Sequence, residues 1–289
     1  MPDSKVTINA QTQVYGIFGS PVRHSLSPLI HNSLFSELKI NAVYEAFEVE
    51  KEKLGLAFEA VRALGIRGVN VTIPHKEAAM NFVDEVPEDV DRCVGALNTV
   101  VNRNGKLFGY NTDGKGFLTA LREELSFNPE GKTVLVLGAG GAARGVAFSA
   151  AHAHAERIFI YNRTHDRAVG LGGYLEEYFP EIEIEVLENL EALKKEKIDL
   201  VVNATSCGMH ASDPSPIDLH LLSAKANVYD LIYAPAETPF LKLAKKCGLP
   251  CANGLGMLAA QAAVSFELWT GKREGVRERM LEVLKACRF

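Results

Sequence analysis

The stretch VLVLGAGGAARG, residues 134–145, constrains the fold most, because an apolar run passes directly into a glycine cluster. The run predicts a buried strand, and the small residues after the glycines predict a helix. Gly138, Gly140 and Ala143 form the pattern G-x-G-x-x-A, whose third position needs only a small side chain. Placed between a strand and a helix, this turn predicts a dinucleotide phosphate site, with a well-packed corner lacking any ligand as the alternative.

Length and composition limit the classes of protein that this chain can be. A length of 289 residues favours two domains, and 47% hydrophobic with 23% charged residues is ordinary for a soluble globular protein. The net charge of −5 argues against nucleic acid or an anionic membrane as a partner. No secretory leader and no apolar run of about 18 residues is found, which predicts no membrane association.

The five cysteines are scattered, and none has the spacing of a familiar metal site. We therefore expect reduced thiols, a cytoplasmic location and no metal ion.

Strand-like and helix-like runs alternate along the chain, which is typical of the α/β class. Residues 98–111 alternate around Asn104-Gly105 and predict a β-hairpin, whereas 126–132 break the pattern near a domain boundary. Helices are predicted from Pro74 to residue 83 and after the strand at 181–187. The last predicted strand is 227–233.

Two domains are predicted from this order of elements. Residues 1–114, completed by C-terminal helices within 255–289, are expected to form an open α/β substrate domain. Residues 115–254 are expected to form a doubly wound (Rossmann) domain for the dinucleotide.

The strand after the glycine turn indicates which dinucleotide binds. An NAD site usually has Asp or Glu at the end of this strand, whereas here Asn162, Arg163 and Thr164 follow it, and Arg167 comes one turn later. A guanidinium matches a phosphate in charge and geometry, so the sequence favours the 2′-phosphate of NADP. The alternative is that both arginines are solvated residues at a helix start.

Polar clusters in the first 114 residues fall at predicted strand ends, where ligands bind in open α/β folds. They are HSLSP (24–28), NVTIPHK (70–76), GALNT (95–99) and YNTDG (110–114). Taken singly, each has a structural explanation: Ser27 and Asp113 can be helix N-caps, Asn98 a turn residue and Lys76 a surface lysine. Taken together they predict a pocket of hydroxyls, an amide and one Lys/Asp pair.

These motifs occur in one order along almost the whole chain, and in that order the chain resembles the shikimate dehydrogenase family. The motifs are GSPVRHSLSPLIHN, GVNVTIPHK, GALNTV, GYNTDG, GAGGAARG, NRTHDR, VVNATSCGM, YDLIY and GLGMLAAQAA. The resemblance implies reversible NADP-dependent oxidation of shikimate to 3-dehydroshikimate, in aromatic amino-acid biosynthesis, and a homodimer.

The resemblance also implies roles for individual residues. Ser25 and Ser27 would hold the substrate carboxylate, and Lys76 would be the acid/base with Asp113 beside it. The other implied substrate contacts are Thr72, Asn98, Asp113, Tyr233 and Gln261. The implied cofactor contacts are Gly138, Ala139, Gly140, Gly141, Ala142, Asn162, Arg163, Thr164, Arg167, Leu231 and Gly254. Of these, Leu231 and Gly254 would lie near the nicotinamide.

Three other functions stay open at this point. A quinate/shikimate dehydrogenase of the same family could use NAD, although HSLSP and the segment Asn162-Arg163-Thr164 favour the biosynthetic enzyme. A methylenetetrahydrofolate dehydrogenase would leave HSLSP and YNTDG unexplained. A non-catalytic pyridine-nucleotide sensor would not need both Lys76 and Asp113.

Overall fold

Backbone contacts divide the chain into two units, one running to Thr112 and resuming at Gln261, the other spanning Asp113–Ala260. The computed structural model describes residues 8–210, 212–222 and 225–287. Helix α8 crosses from the second unit into the first, since it covers Leu255–Thr270.

The first unit is built on a five-stranded sheet of order β2-β1-β3-β4-β5. Its strands are β1 Gln13–Gly19, β2 Ala42–Glu48, β3 Gly68–Val71, β4 Thr99–Arg103 and β5 Lys106–Tyr110. Its helices are α1 Ser27–Glu37, α2 Leu54–Ala63, α3 Asp89–Val94 and, after the shared α8, α9 Val276–Ala286.

Strand direction in this sheet decides which residues gather at one edge. β1 lies parallel to β2 and β3, whereas β4 is antiparallel to β3 and β5 is antiparallel to β4. The start of β4 and the end of β5 therefore lie at the edge where β1 and β3 end. The predicted hairpin is confirmed: Asn104 and Gly105 both have positive φ, at 57° and 89°.

The second unit is a six-stranded parallel sheet of order β11-β10-β9-β6-β7-β8. Its strands are β6 Thr133–Leu137, β7 Arg157–Tyr161, β8 Glu183–Val186, β9 Leu200–Asn203, β10 Asn227–Asp230 and β11 Cys251–Ala252. Its helices are α4 Asp113–Leu125, α5 Gly141–His152, α6 His165–Tyr178 and α7 Pro239–Lys246. The α/β class with a doubly wound domain is therefore confirmed.

Two predicted helices differ from the structure, and so does the prediction that residues 227–233 form the last strand. The helix from Pro74 is wrong: only a 3₁₀ turn, Ala78–Asn81, forms, because the Lys76 carbonyl accepts a hydrogen bond from the Leu97 N–H at 2.8 Å instead of continuing a helix. The helix after β8 is likewise only a 3₁₀ turn, Leu190–Lys195, started by the Asn189 side chain. A short strand, β11, follows the predicted last strand and pairs with β10.

None of the helices in the described stretches is long and apolar enough to cross a bilayer.

Adjacent glycines in α6 provide a test of how this helix packs on the second sheet. A Cβ at Gly172 would lie 2.6 Å from Cγ2 of Val186 in β8, whereas at Gly173 it would meet nothing within 4 Å. We expect Gly172→Ala to lower the free energy of unfolding by about 1–3 kcal/mol through overpacking. Gly173→Ala should leave it unchanged or raise it by up to about 1 kcal/mol, because alanine favours a helix.

Urea unfolding followed by circular dichroism measures both changes. Equal midpoints for the two variants would contradict the packing of α6 against β8.

Candidate active site

The predicted substrate-binding residues of the first unit lie at one edge of its sheet. Ser25 and Ser27 follow β1, Thr72 and Lys76 follow β3, and Asn98 directly precedes β4. These are the strand ends that meet at a single edge of the sheet, as ligand sites of open α/β folds require. Gly19 makes room there, because a Cβ on it would overlap the Thr72 side chain.

The segment that carries Lys76 is fixed through its backbone. The Thr72 N–H donates to the Phe18 carbonyl at 2.8 Å, and the His75 N–H donates to the Thr72 carbonyl at 2.9 Å. The buried His75 ring also pairs with the Val49 carbonyl at 2.6 Å. The backbone of Lys76, which is half-buried, is therefore held between the ends of β1 and β3 and the loop before β4.

Asn98 forms the centre of a buried hydrogen-bond cluster with Gln261 of α8. Its Nδ2 donates to Thr112 Oγ1 at 2.9 Å and to Gln261 Oε1 at 3.2 Å, and its Oδ1 accepts from the Thr112 N–H at 2.7 Å. The structure thus brings two predicted substrate contacts, Asn98 and Gln261, into direct contact with each other.

A buried network beneath this cluster was not predicted from the sequence. Asn70 Nδ2 donates to Thr99 Oγ1 at 3.0 Å and to Ser265 Oγ at 3.1 Å, while the Tyr44 hydroxyl donates to Asn70 Oδ1 at 2.6 Å. Nothing local in the sequence marks Asn70 as a member of this network, because the burial of β3 is evident only in the fold. Because these partners stand on β2, β3, β4 and α8, the network fixes α8 on the sheet.

Ser27 joins this network and is not the helix cap that its sequence position allows. The N-cap of α1 is Leu26, with no side-chain hydrogen bond, and Ser27 is the buried first residue of the helix. Its side chain hydrogen-bonds the Tyr44 phenol, whose pKa burial raises well above the usual value. The Ser25 hydroxyl accepts a bond from the Ser27 N–H at 3.3 Å, so the two serines are neighbours.

Asp113 and Tyr233 belong to the second unit. Asp113 is the buried first residue of α4, and Tyr233 lies half-buried in the loop after β10, where burial raises the pKa of its phenol.

The glycine turn of the second unit has the geometry that a phosphate group requires. Gly138 directly follows β6 with φ of +116°, and a Cβ there would lie 3.0 Å from the Ala204 carbonyl oxygen, so only glycine fits. Gly140 is the N-cap of α5, and nothing lies within 4 Å of where its Cβ would be. Ala143 is fully buried at the helix–sheet contact. The turn therefore leaves a helix N-terminus open to an anion, and these residues fit a dinucleotide.

The residues after β7 lie next to this turn in the sheet, because β7 pairs with β6. Asn162 Nδ2 donates to the Thr164 carbonyl at 2.8 Å, which shapes the start of α6. Arg163 and Arg167 are exposed, and within the described ranges neither is ion-paired with a carboxylate. Both cations are therefore available to a phosphate on the adenosine ribose.

The two predicted nicotinamide contacts touch each other. The Gly254 N–H donates to the Ile232 carbonyl at 3.2 Å, and a Cβ at Gly254 would overlap the Leu231 carbonyl oxygen. Glycine at 254 is therefore needed for this close approach to the loop after β10.

A second hydrogen-bond network, also not predicted from the sequence, connects the end of β9 with the end of β10 and the loop after it. The Asp230 carboxylate accepts from Asn203 Nδ2 at 2.9 Å, from the Ile232 N–H at 3.1 Å and from the Thr238 hydroxyl at 2.6 Å. Asp230 is fully buried, and this burial raises its pKa from 3.8 to about 6. Nothing in the local sequence distinguishes this aspartate from an exposed one at a strand end.

A separate cavity of about 360 Å³ lies at the opposite edge of the first sheet. It contains none of the predicted site residues. Its lining is Tyr15, Arg67, Val101, Asn102, Arg103, Asn104, Leu268 and Trp269.

Comparison with known proteins gives matches in both units. Residues 17–100 match the family described as shikimate dehydrogenase substrate binding domain, and residues 121–213 match shikimate / quinate 5-dehydrogenase. Residues 254–285 match the shikimate 5′-dehydrogenase C-terminal domain.

Individual relatives cover nearly the whole chain. The shikimate dehydrogenase (NADP(+)) of Caldanaerobacter subterraneus subsp. tengcongensis is 48% identical over 92% of this chain and 94% of its own. A crystal structure of a shikimate dehydrogenase in complex with NADP+ is 39% identical, with a TM-score of 0.88 over 98% of both chains. The Thermus thermophilus enzyme, in complex with NADP(H) and shikimate, is 38% identical, with a TM-score of 0.84 over 95% of this chain and 99% of that one.

The raised pKa of Asp230 predicts how stability depends on pH. Below about pH 4 the carboxyl is protonated in both states; from there to about pH 6 only the unfolded chain loses the proton, so stability falls as pH rises. Asp230→Asn removes this titration. We expect the free energy of unfolding of the variant, relative to wild type, to rise by up to about 3 kcal/mol between pH 4 and 7.

Urea unfolding at several pH values measures this difference. Asp213→Asn is the control, because backbone N–H groups of His210 and Gly208 lower the pKa of Asp213, so its relative stability should change with the opposite sign. A pH-independent difference for Asp230→Asn would contradict the burial of an ionisable carboxyl at this position.

Proposed function

The chain belongs to the shikimate dehydrogenase family, and from this premise we propose that it catalyses the reversible NADP-dependent oxidation of shikimate to 3-dehydroshikimate. The observation that carries the proposal is the meeting of Ser27, Thr72, Lys76 and Asn98 at one edge of the first sheet. Initial rates with shikimate and quinate, each with NADP and NAD, test it. Turnover of quinate with NAD above that of shikimate with NADP would favour the quinate-type enzyme instead.

We propose a division of roles between two domains. Residues 1–114 with 255–289 bind the substrate, and residues 115–254 bind NADP. In the first, the hydroxyls of Ser25 and Ser27 donate to the substrate carboxylate, while Thr72, Asn98 and Gln261 contact its ring hydroxyls. Asp113 and Tyr233 complete the substrate contacts. The closed cluster of Asn98 and Gln261 supports this role, because it sets the direction of both amides before substrate arrives.

The proton chemistry is assigned to Lys76. NADP, when bound, accepts the hydride from the carbon that carries the reacting hydroxyl. That hydroxyl must lose its proton as the carbonyl forms, and the neutral Lys76 amine accepts it; in reduction the Lys76 ammonium returns the proton to the developing alkoxide. Asp113 orients the Lys76 ammonium and accepts a hydrogen bond from a substrate hydroxyl. The backbone bonds that hold residues 72–76 support this role, because they fix the stem of the lysine.

Replacing Lys76 tests the acid/base role. Lys76→Met keeps most of the stem but removes the amine, so kcat should fall by about 10²–10⁴-fold while the KM for shikimate changes little. Steady-state kinetics with shikimate and NADP measure both constants. Lys51→Met makes the same change at an exposed position of the same unit and should leave kcat unaltered. A Lys76→Met enzyme with a tenth of wild-type turnover would refute the role.

The choice of NADP is assigned to Arg163 and Arg167. Each can donate charge-assisted hydrogen bonds to a 2′-phosphate, worth roughly 1.5–3 kcal/mol apiece, and about 1.4 kcal/mol is tenfold in binding. Two such contacts favour NADP over NAD by about two orders of magnitude or more, lowered by salt because both arginines are exposed. Gly138 to Ala142, with Asn162 and Thr164, bind the remainder of the adenosine diphosphate.

Removing one guanidinium tests this assignment. Arg163→Ala should raise the KM for NADP about tenfold and leave kinetics with NAD almost unchanged. Lys246→Ala is the matched control, since it removes a cation in the last turn of α7, at the opposite end of the helix from the β10 loop. If kcat/KM for the two cofactors agrees within threefold in the wild-type enzyme, the assignment fails.

We also propose a cytoplasmic location and a homodimer. The cysteines support the location, because none of them forms a disulfide in the described part of the chain and disulfides are rare in a reducing compartment. The homodimer rests on the family resemblance, and sedimentation at micromolar concentration tests it.

A further inference from the structure

We propose that Asp230 is a positioning residue for hydride transfer, because its carboxylate holds the loop 231–238 in the form in which Leu231 and Gly254 meet the nicotinamide ring. The proposal rests on the proposed function, NADP-dependent dehydrogenation. Asp230 lies within the motif YDLIY, but neither the sequence analysis nor the proposed function gives it a role.

The carboxylate joins three separate segments. Oδ1 accepts from the Asn203 side chain at the end of β9 and from the Ile232 N–H of the loop itself. Oδ2 accepts from the Thr238 hydroxyl, and Thr238 is also the N-cap of α7, because its Oγ1 accepts from the Leu241 N–H at 3.3 Å. Both ends of the loop are therefore bound to one carboxylate.

The neighbouring loop after β9 is fixed through the same group. Asn203 Nδ2, which donates to Asp230, also donates to the Cys207 carbonyl at 3.1 Å. Asn203 Oδ1 accepts from the Thr205 hydroxyl at 2.7 Å. A substitution at Asp230 therefore alters the hydrogen bonds of both loops, the one that follows β9 and the one that follows β10.

The loop passes this constraint to the predicted nicotinamide contacts. Ile232, which donates to Asp230, accepts a bond from Gly254 through its carbonyl, and Gly254 packs directly on the Leu231 backbone. Leu231 and Gly254 therefore move together if the loop shifts. Displacement of a reacting group by about 1 Å can cost about 10²-fold in rate.

The energetics favour a geometric role over a stabilising one. Asp230 is buried, accepts three hydrogen bonds and makes no ion pair within the described residues, and this burial raises its pKa to about 6. Burial raises the pKa of the nearby Cys207 thiol, the Asp213 and Asp230 carboxylates raise it further, and Arg163 lowers it. A buried carboxylate without a cation costs stability, whereas its three directional bonds define one loop conformation.

Two variants weaken the hydrogen bonds of the Asp230 carboxylate without leaving a cavity. Asp230→Asn is nearly isosteric but lacks the second acceptor oxygen, and Thr238→Val removes the hydroxyl that donates to Asp230 and also caps α7. Thr238→Ser keeps that hydroxyl and should restore activity. Thr119→Val is the control: it makes the same change on α4, where the hydroxyl donates to the Lys115 carbonyl at an exposed position.

Three measurements separate positioning from general stability. They are kcat and kcat/KM with shikimate and NADP, the Kd for adenosine 2′,5′-bisphosphate, and the emission of bound NADPH. The bisphosphate carries the 2′-phosphate without a nicotinamide, and so its Kd reports on Arg163, Arg167 and the glycine turn without any contribution from the nicotinamide contacts. NADPH emission reports on the surroundings of the nicotinamide ring and needs no turnover.

We expect Asp230→Asn and Thr238→Val to lose about 10–100-fold in kcat/KM for NADP, with an altered NADPH emission and a bisphosphate Kd within twofold of wild type. Thr238→Ser and Thr119→Val should behave as wild type. Turnover within twofold of wild type in both weakened variants would overturn the proposal, as would a loss of bisphosphate affinity equal to the loss in kcat/KM. A wild-type enzyme inactive on shikimate would refute the proposed function, while the emission change would still decide the role of Asp230.

Discussion

Both sheets are constrained by the same requirement, that the backbone groups of buried strands pair with one another. The strands β3, β6, β9 and β10 are buried over almost their whole length, and their backbone bonds go to neighbouring strands. Side chains within such strands have no access to a ligand. The residues that can bind one must therefore follow the strand ends, and the serines, Thr72, Lys76, the glycine turn and the arginines all do.

Strand ends alone would not hold these residues in one arrangement, and here the two buried networks matter. In the first unit, Asn70 joins Tyr44, Thr99 and Ser265, so α8 cannot slide along the sheet without breaking buried bonds. In the second unit, the Asp230 carboxylate accepts hydrogen bonds from Asn203 and Thr238, so the loops after β9 and β10 cannot shift without breaking buried bonds. Leaving such a group unpaired costs about 1–3 kcal/mol, more if it is charged, so each network favours a single conformation.

The sequence predicts those parts of the site that depend on local conformation. A glycine at positive φ and an Asn-Gly hairpin each leave a mark within a few residues, and the structure confirms both, at Gly138 and Asn104. The assignment of Arg163, at a strand end without a carboxylate, rests on the same kind of local pattern and stays a prediction. The networks leave no such mark, since Asn70 and Ser265 are far apart in the chain and meet only in the fold. The 3₁₀ turn after Lys76 was missed for the same reason: a distant N–H, that of Leu97, takes the carbonyl that a helix would have used.

The two kinds of polar group in this protein are suited to different tasks. Arg163 and Arg167 are exposed, so their attraction for a phosphate acts at a distance, weakens with salt and tolerates small errors of placement. Asn98, Gln261 and Asp230 act by direction, through bonds of about 2.6–3.2 Å among buried or half-buried groups, and salt hardly reaches them. Recognition of an anionic cofactor can depend on the first kind. Hydride transfer requires the reacting atoms to be placed with a precision of a fraction of an ångström. It therefore depends on the second kind of polar group, the buried and directional one.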